Sequence, residues 1–469
     1  MSPLPRSAPS AQGTDARGVV AFLDAIDGVG GIEPHSLILL RHGHVIAQGW
    51  WSPYTPEGVQ HLYSLSKSFT STAAGFAWAE GLLDLDAPVV SYFPELDAEV
   101  EDERSRAILI RHIASMSAGH TSERWDHVLA AHRAEPVRGF LLDPPDGITG
   151  STFAYSQPTT YTLGAVIQRV TGQTLIEYLR PRLFEPLGIE RAMWTQHPAG
   201  RDLAFAGLHS TTEAVARLGQ LYLQGGVWEG RQLLSAEWVE QATRVQVANG
   251  GPSSGLSEPS SSDWAQGYGF QFWMARHGYR GDGAFGQYCV VLPEQDVVLA
   301  LTSETNDMQA VLDAAWTHLL PAFEGAGSDA ATADAELEHR LTNLQLPFPG
   351  GAEVPSGEFK AGRSALPKLA RISLTPQEVT LHEENGTETA LPLIAGSWPV
   401  RGHLAARAAQ TDADTVTVHV QFVQSPHKLR ITCDLRTGTF GAMWRCVPLG
   451  WRPPTALADL AQPPEVSVL

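Results

Sequence analysis

Ser64 and Lys67, inside HLYSLSKSFTSTAAGFAWAEG (residues 61–81), are the two side chains whose types and spacing best suit covalent chemistry. A serine hydroxyl is a poor nucleophile until a neighbouring base takes its proton. At about 3.6 residues per helical turn, residues three apart share one face, so a helix would set the Lys67 amine beside the Ser64 hydroxyl. An arginine could not serve there, because its guanidinium keeps its proton, whereas burial lowers the pKa of a lysine until it can lose one. Of 32 basic side chains, 28 are arginines, and Lys67 is the only lysine before Lys360. The bland alternative makes Ser64 a helix cap and Lys67 a solvated charge. The singularity of this lysine and the small, apolar residues after it favour chemistry. A second Ser-x-x-Lys, SPHK at Ser425–Lys428, contains Pro426 and reads as a hairpin turn. With no helix to bring its ends together, it is expected in solvent.

Several elements must hold this pair in place. SLILLRHGHVIAQGWW (36–51) sets two apolar runs around His42-Gly43, the pattern of a β-hairpin. From Ser66 to Glu80 the residues are small or apolar, and Gly81 follows, which predicts a buried helix with a glycine cap. Helical periodicity dominates residues 104–245, and residues 268–303 read as a strand meander turning at PEQD. MQAVLDAAWTHLL (308–320) closes the unit as a helix. The order hairpin, helices, strands, helix predicts an α+β domain whose antiparallel sheet is built from both ends of its sequence. The division expected is a flexible tail over 1–17, a catalytic unit over 18–323, a linker over 324–335 (EGAGSDAATADA) and a β-rich domain over 336–469.

At 469 residues the chain exceeds one ordinary core. A formal charge of -19 with no basic run argues against nucleic acid or an anionic membrane as partner. The three cysteines, Cys289, Cys433 and Cys446, suit a reducing compartment, although Cys433 and Cys446 share a region and could pair. The first residues hold no apolar run able to serve as a signal-peptide core, and no stretch approaches the roughly 20 apolar residues of a membrane span. A cytoplasmic protein is expected.

YSLSKSFTSTA (63–73) resembles the nucleophile helix of the serine β-lactamases and penicillin-binding proteins, especially the class C β-lactamase branch and its esterase and D-amino-acid peptidase relatives. LIRHIASMSAG (109–119), YLRPRLFEPLGIERAMW (178–194) and GLHSTTEAVARLGQLYLQGG (207–226) follow in the order of that family, over about residues 30–322. The resemblance implies a β-lactamase/transpeptidase-like fold, an antiparallel sheet flanked by helices, carrying here an additional C-terminal β-rich domain. It also implies roles for further residues. The family's Tyr-x-Asn reads Tyr155-Ser156-Gln157, so Tyr155 would share proton traffic with Lys67, and Gln157 would bind Lys67 or substrate. The family's Lys-Thr-Gly or His-x-Gly reads Gly281-Asp282-Gly283, a substrate-binding edge lacking the cation that holds a β-lactam carboxylate. The N–H groups of Ser64 and Ala284 would form the oxyanion hole.

The expectation is a serine acyl hydrolase, an esterase or amidase acting on a small molecule through an acyl-enzyme on Ser64, with no metal and no organic cofactor. A β-lactamase or D-amino-acid peptidase is the enzymatic alternative, and a catalytically inactive ligand-binding homologue the alternative from another class. Assembly into oligomers is left open. GPSSG (251–255) matches the Gly-x-Ser-x-Gly elbow but lies in a Ser, Pro and Gly rich loop, so Ser253 is read as loop. His42 and His44 read as surface residues of a turn, and the sequon at Asn385 matters only in a secreted protein.

Overall fold

In a computed structural model of the chain, residues 3–27, 31–250, 261–362, 368–449 and 466–468 are described, the last three by their backbone alone. The GPSSG loop and Ser253 lie outside the described residues.

The first domain is built on a six-stranded antiparallel sheet. Its strands are β1 (Glu33–Arg41) and β2 (His44–Trp50) from the start of the chain. From further on come β6 (Trp273–Met274), β7 (Tyr279–Gly283), β8 (Gln287–Leu292) and β9 (Val297–Glu304), in the order β2-β1-β9-β8-β7-β6. The β1–β2 hairpin turns on His42 (φ +49°) and Gly43 (φ +73°), the left-handed pair that a two-residue hairpin needs. Strand β1 is buried along its whole length because both sheet faces are covered. One face packs on helix α1 (Ala16–Ile26) through Phe22, Leu23, Leu37 and Leu39. The other supports helices α2 (Ser66–Ala79), α3 (Gln157–Thr171) and α4 (Thr212–Leu223), whose core includes Phe69, Leu163 and Leu218. A small sheet flanks them, with β3 (Gln60–His61), β4 (Ala192–Thr195), β5 (Leu208–Ser210) and β19 (Val466–Val468) in the order β19-β4-β5-β3.

Two expected boundaries differ. Residues 3–15 are not a loose tail: Val45 exchanges backbone hydrogen bonds with Pro5 and Ser7 on the edge of β2, and Leu4 is buried. The linker expected over 324–335 is cut short by helix α5 (Ala330–Thr342), which lays Ala333 and Leu337 into the core around α1. Alanine is the strongest helix former, and four alanines over 330–335 outweigh the small, polar look of the segment.

The second domain is a nine-stranded sheet that curls until its end strands meet, a nearly closed barrel. Its strands are β10 (Gly357–Ala361), β11 (Leu369–Thr375), β12 (Glu378–Glu383), β13 (Glu388–Pro392), β14 (Val400–Arg401), β15 (Leu404–Gln410), β16 (Thr415–Phe422), β17 (Lys428–Asp434) and β18 (Thr439–Trp444). Alternating residues such as Val416, Val418 and Val420 fill its interior. Ser425–Lys428, expected in solvent, is buried at the junction of the domains, with Ser425 and Lys428 each 1% exposed. The cause is an ion pair between Lys428 and Glu33 of β1, which no local pattern reveals. All three cysteines are free and buried, so Cys433 and Cys446 do not pair. Among the described residues no helix is long and apolar enough to cross a membrane.

Candidate active site

Ser64 lies in a single 3-10 turn, Tyr63–Leu65, that runs directly into α2. Residues 66–77 are buried on every side, which small side chains permit: at Gly75 a Cβ would come within 2.5 Å of the Trp238 ring. Two of the helix hydroxyls reach backbone carbonyls of other segments, Ser68 that of Gln271 (3.1 Å) and Thr70 that of Ala204 (2.8 Å). Gly81 (φ +72°) stands just past the end of α2.

Lys67 is 1% exposed. Its Nζ lies 3.1 Å from Ser64 Oγ, 2.7 Å from Gln157 Oε1 and 2.9 Å from the Phe205 carbonyl oxygen. All three acceptors are uncharged. Burial therefore pulls the amine down to about 7, against the weaker upward pull of the Glu123 and Asp282 carboxylates. Tyr155 packs its ring 4.7 Å from the Lys67 nitrogen, and its hydroxyl faces the Ser64 side chain. Burial pushes its phenol above the ordinary range, so it stays protonated unless a base takes its proton. Trp273 (4.9 Å between ring centroids) and Tyr268 (6.2 Å) hold that ring from behind. Gln157 opens α3, and its backbone N–H donates to Glu123 Oε2 (2.9 Å), which also accepts from Trp125 through Oε1 (2.6 Å). The structure thus brings Ser64, Lys67, Tyr155 and Gln157 together.

Strand β7 supplies the third side. Gly283 is pressed against the nucleophile turn, where a Cβ would sit 2.1 Å from the Leu62 carbonyl, and Ala284 follows beside that turn. Gly281, expected on a substrate-binding edge, does not open toward a ligand. Its Cβ would strike Ser68 Oγ at 2.3 Å and Leu65 Cδ1 at 2.7 Å, so its bare face is filled by α2 and it offers no side-chain space to a ligand. Asp282 projects from the opposite face toward Tyr155 and Trp273, and its carboxylate is tied to Arg280 Nε at 2.9 Å.

Several contributors were invisible in the sequence. The Phe205 carbonyl acts through its backbone, aimed by a turn in which Ala204 is left-handed (φ +64°). Glu123 and Trp273 had no motif around them. Tyr63, immediately before Ser64, takes a left-handed φ of +47°, which costs a non-glycine residue roughly 1–2 kcal/mol and so must be held by contacts elsewhere.

A family model described as beta-lactamase matches residues 20–322. The chain belongs to the beta-lactamase family. This beta-lactamase-family chain is 28% identical over 290 residues to the 6-aminohexanoate-dimer hydrolase of Paenarthrobacter ureafaciens, spanning 58% of this chain and 73% of that protein. It is 28% identical over 213 residues to esterase EstB of Burkholderia gladioli, spanning 39% of this chain and 53% of that one. In fold it is similar to the octameric penicillin-binding protein homologue of Pyrococcus abyssi, with a TM-score of 0.50 and 16% identity over 88% of this chain and 96% of that one. The family is one of serine hydrolases with the β-lactamase/transpeptidase-like fold, and its members similar to this chain include amide and ester hydrolases.

Proposed function

We propose that this protein is a serine acyl hydrolase that cleaves an ester or amide bond of a small molecule through an acyl-enzyme on Ser64. The observation that carries the reading is the Lys67 amine, buried among neutral acceptors, lowered to about 7 and 3.1 Å from the Ser64 hydroxyl. In its neutral form Lys67 takes the Ser64 proton, directly or through the Tyr155 hydroxyl, as Oγ bonds to the substrate carbonyl carbon. The carbonyl oxygen becomes an oxyanion facing the N–H groups of Ser64 and Ala284, donors fixed before the reaction begins. As the tetrahedral intermediate collapses, the bond to the leaving group breaks and Tyr155 returns the proton to that group. Water then attacks the acyl carbon, losing its proton to the Tyr155–Lys67 pair, and Ser64 leaves with a proton restored. Lys67 and Tyr155 titrate as one coupled unit in this scheme.

Gln157 orients the Lys67 amine through its side-chain oxygen. Close packing at Gly281 and the Arg280–Asp282 pair leave β7 without a free cation for a substrate carboxylate, which favours an esterase or amidase over a β-lactamase or D-amino-acid peptidase. Relatives named as a 6-aminohexanoate-dimer hydrolase and an esterase are compatible with that class. Fluorophosphonate labelling followed by mass mapping tests the reading, with an adduct on Ser64 expected; a wild-type protein that never acquires one is a binding homologue. Turnover of p-nitrophenyl esters set against a cephalosporin and a D-alanyl amide places the substrate class.

A further inference from the structure

The left-handed Tyr63 is held by the second domain. Within the first domain its ring tilts against His61 at 4.0 Å and meets Phe285 edge-on at 5.2 Å. Its hydroxyl lies 2.5 Å from Nε2 of His427, in the turn between β16 and β17. The other ring nitrogen of His427, Nδ1, is 3.1 Å from the Cys446 carbonyl. A carbonyl only accepts, so Nδ1 carries the hydrogen, Nε2 presents its lone pair and Tyr63 donates to it. His427 is 1% exposed, and burial lowers its pKa to about 3, which keeps the ring neutral.

The same imidazole also meets Phe285 edge-on at 4.9 Å. Phe285 is left-handed as well (φ +68°), and its carbonyl accepts from the Thr305 N–H at 3.1 Å. Tyr63 and Phe285 each adjoin one of the two residues assigned to the oxyanion hole, Ser64 and Ala284. A single side chain of the second domain therefore rests against both strained neighbours. That side chain is itself anchored: Glu304, at the end of β9, accepts from the backbone N–H of Lys428 (3.3 Å) and of Cys446 (3.0 Å), Arg445 donates to the Glu304 carbonyl, and Lys428 pairs with Glu33.

We propose that His427 is a positioning residue through which the C-terminal β domain fixes the nucleophile turn and the oxyanion loop, so that the two domains together form one active site. The proposal rests on Ser64 being the nucleophile. Misplacing a reacting group by about 1 Å can cost on the order of 100-fold in rate. Tyr63→Phe removes one hydroxyl and leaves the ring, and His427→Phe keeps an aromatic ring without either nitrogen. His427→Gln retains an acceptor for Tyr63 and a donor for Cys446. With the full-length protein and p-nitrophenyl acetate, Tyr63→Phe and His427→Phe are each expected to lower kcat and the rate of Ser64 labelling by fluorophosphonate about 10- to 100-fold, with KM moving less than about threefold. The double variant should be no slower than the slower single, and His427→Gln should recover most of the loss. Folded Tyr63→Phe protein with wild-type rates, losses that multiply in the double variant, or no recovery with glutamine would each overturn the proposal. If Ser64 of the wild type is never labelled, the hydrolase reading itself fails, an outcome separate from a labelled wild type whose Tyr63 variant is unimpaired.

Discussion

The molecule contains two Ser-x-x-Lys tetrads, and both lysines are buried to 1% exposure. Around Lys67 every direct partner is neutral, and the two carboxylates that act on it do so at longer range, so burial dominates and its amine falls to about 7. Around Lys428 burial acts in the same direction, but Glu33 touches the ammonium and Glu304 lies close by, and these charges favour the protonated form. The tetrads also differ in backbone. Ser64 and Lys67 straddle the entry to a helix and face each other, whereas Ser425 and Lys428 straddle a turn into β17, where Ser425 Oγ accepts from the His427 N–H instead (3.4 Å). Burial alone does not make a lysine a base. A hydroxyl within reach and uncharged acceptors do, while a contacting carboxylate turns the same residue into an interdomain clamp.

Exchanging the serines should produce the largest contrast. Ser64→Ala is expected to lower ester turnover by on the order of 10⁴-fold or more with the fold retained, while Ser425→Ala stays within a few-fold of wild type, both read by steady-state hydrolysis and circular dichroism. Next comes the base. Lys67→Arg preserves charge yet should cost about 10³-fold in kcat, since a guanidinium does not give up its proton; normal turnover in that variant would remove the basis of the mechanism.

Lys428→Met should act first on stability. Removing the ammonium that touches buried Glu33 costs about 3–5 kcal/mol, visible as a lower urea midpoint, and the protein that remains folded labels at Ser64 more slowly than wild type because the His427 turn has lost one of its anchors. The pH response is gentler. Neutral Lys67 is the active form, so kcat/KM should rise with pH and level off above an inflection at about 7. Glu123 raises the Lys67 pKa, so Glu123→Gln should move the inflection to lower pH and increase the relative rate at pH 6 by about two- to threefold. A shift in the opposite direction would mean that the titrating group is not this amine.

Local features were the legible ones. The i,i+3 pair at the entry to α2, the hairpin at His42-Gly43 and the strand turn at residues 293–296 all follow from short-range periodicity and turn chemistry, and the α+β order of the first domain follows from them. The features missed depend on partners far away in sequence. Lys428 meets Glu33 across 395 positions and His427 meets Tyr63 across 364, so reading SPHK by itself suggested an exposed turn. Gly281 looked like a lost side chain because the strand's register against α2, which leaves no room for a Cβ, is a tertiary property. The Phe205 carbonyl belongs to the backbone and carries no side-chain signature.

Strand β19 is the last described stretch of the chain, and it lies antiparallel on β4, pairing Val466 with Thr195 and Val468 with Met193. Without that short ribbon, β4 would present a bare row of amides and carbonyls to its surroundings, open to docking by any extended peptide. A proteolytic nick that frees these few residues should therefore favour clumping of otherwise intact molecules, well before any melting of the core is seen.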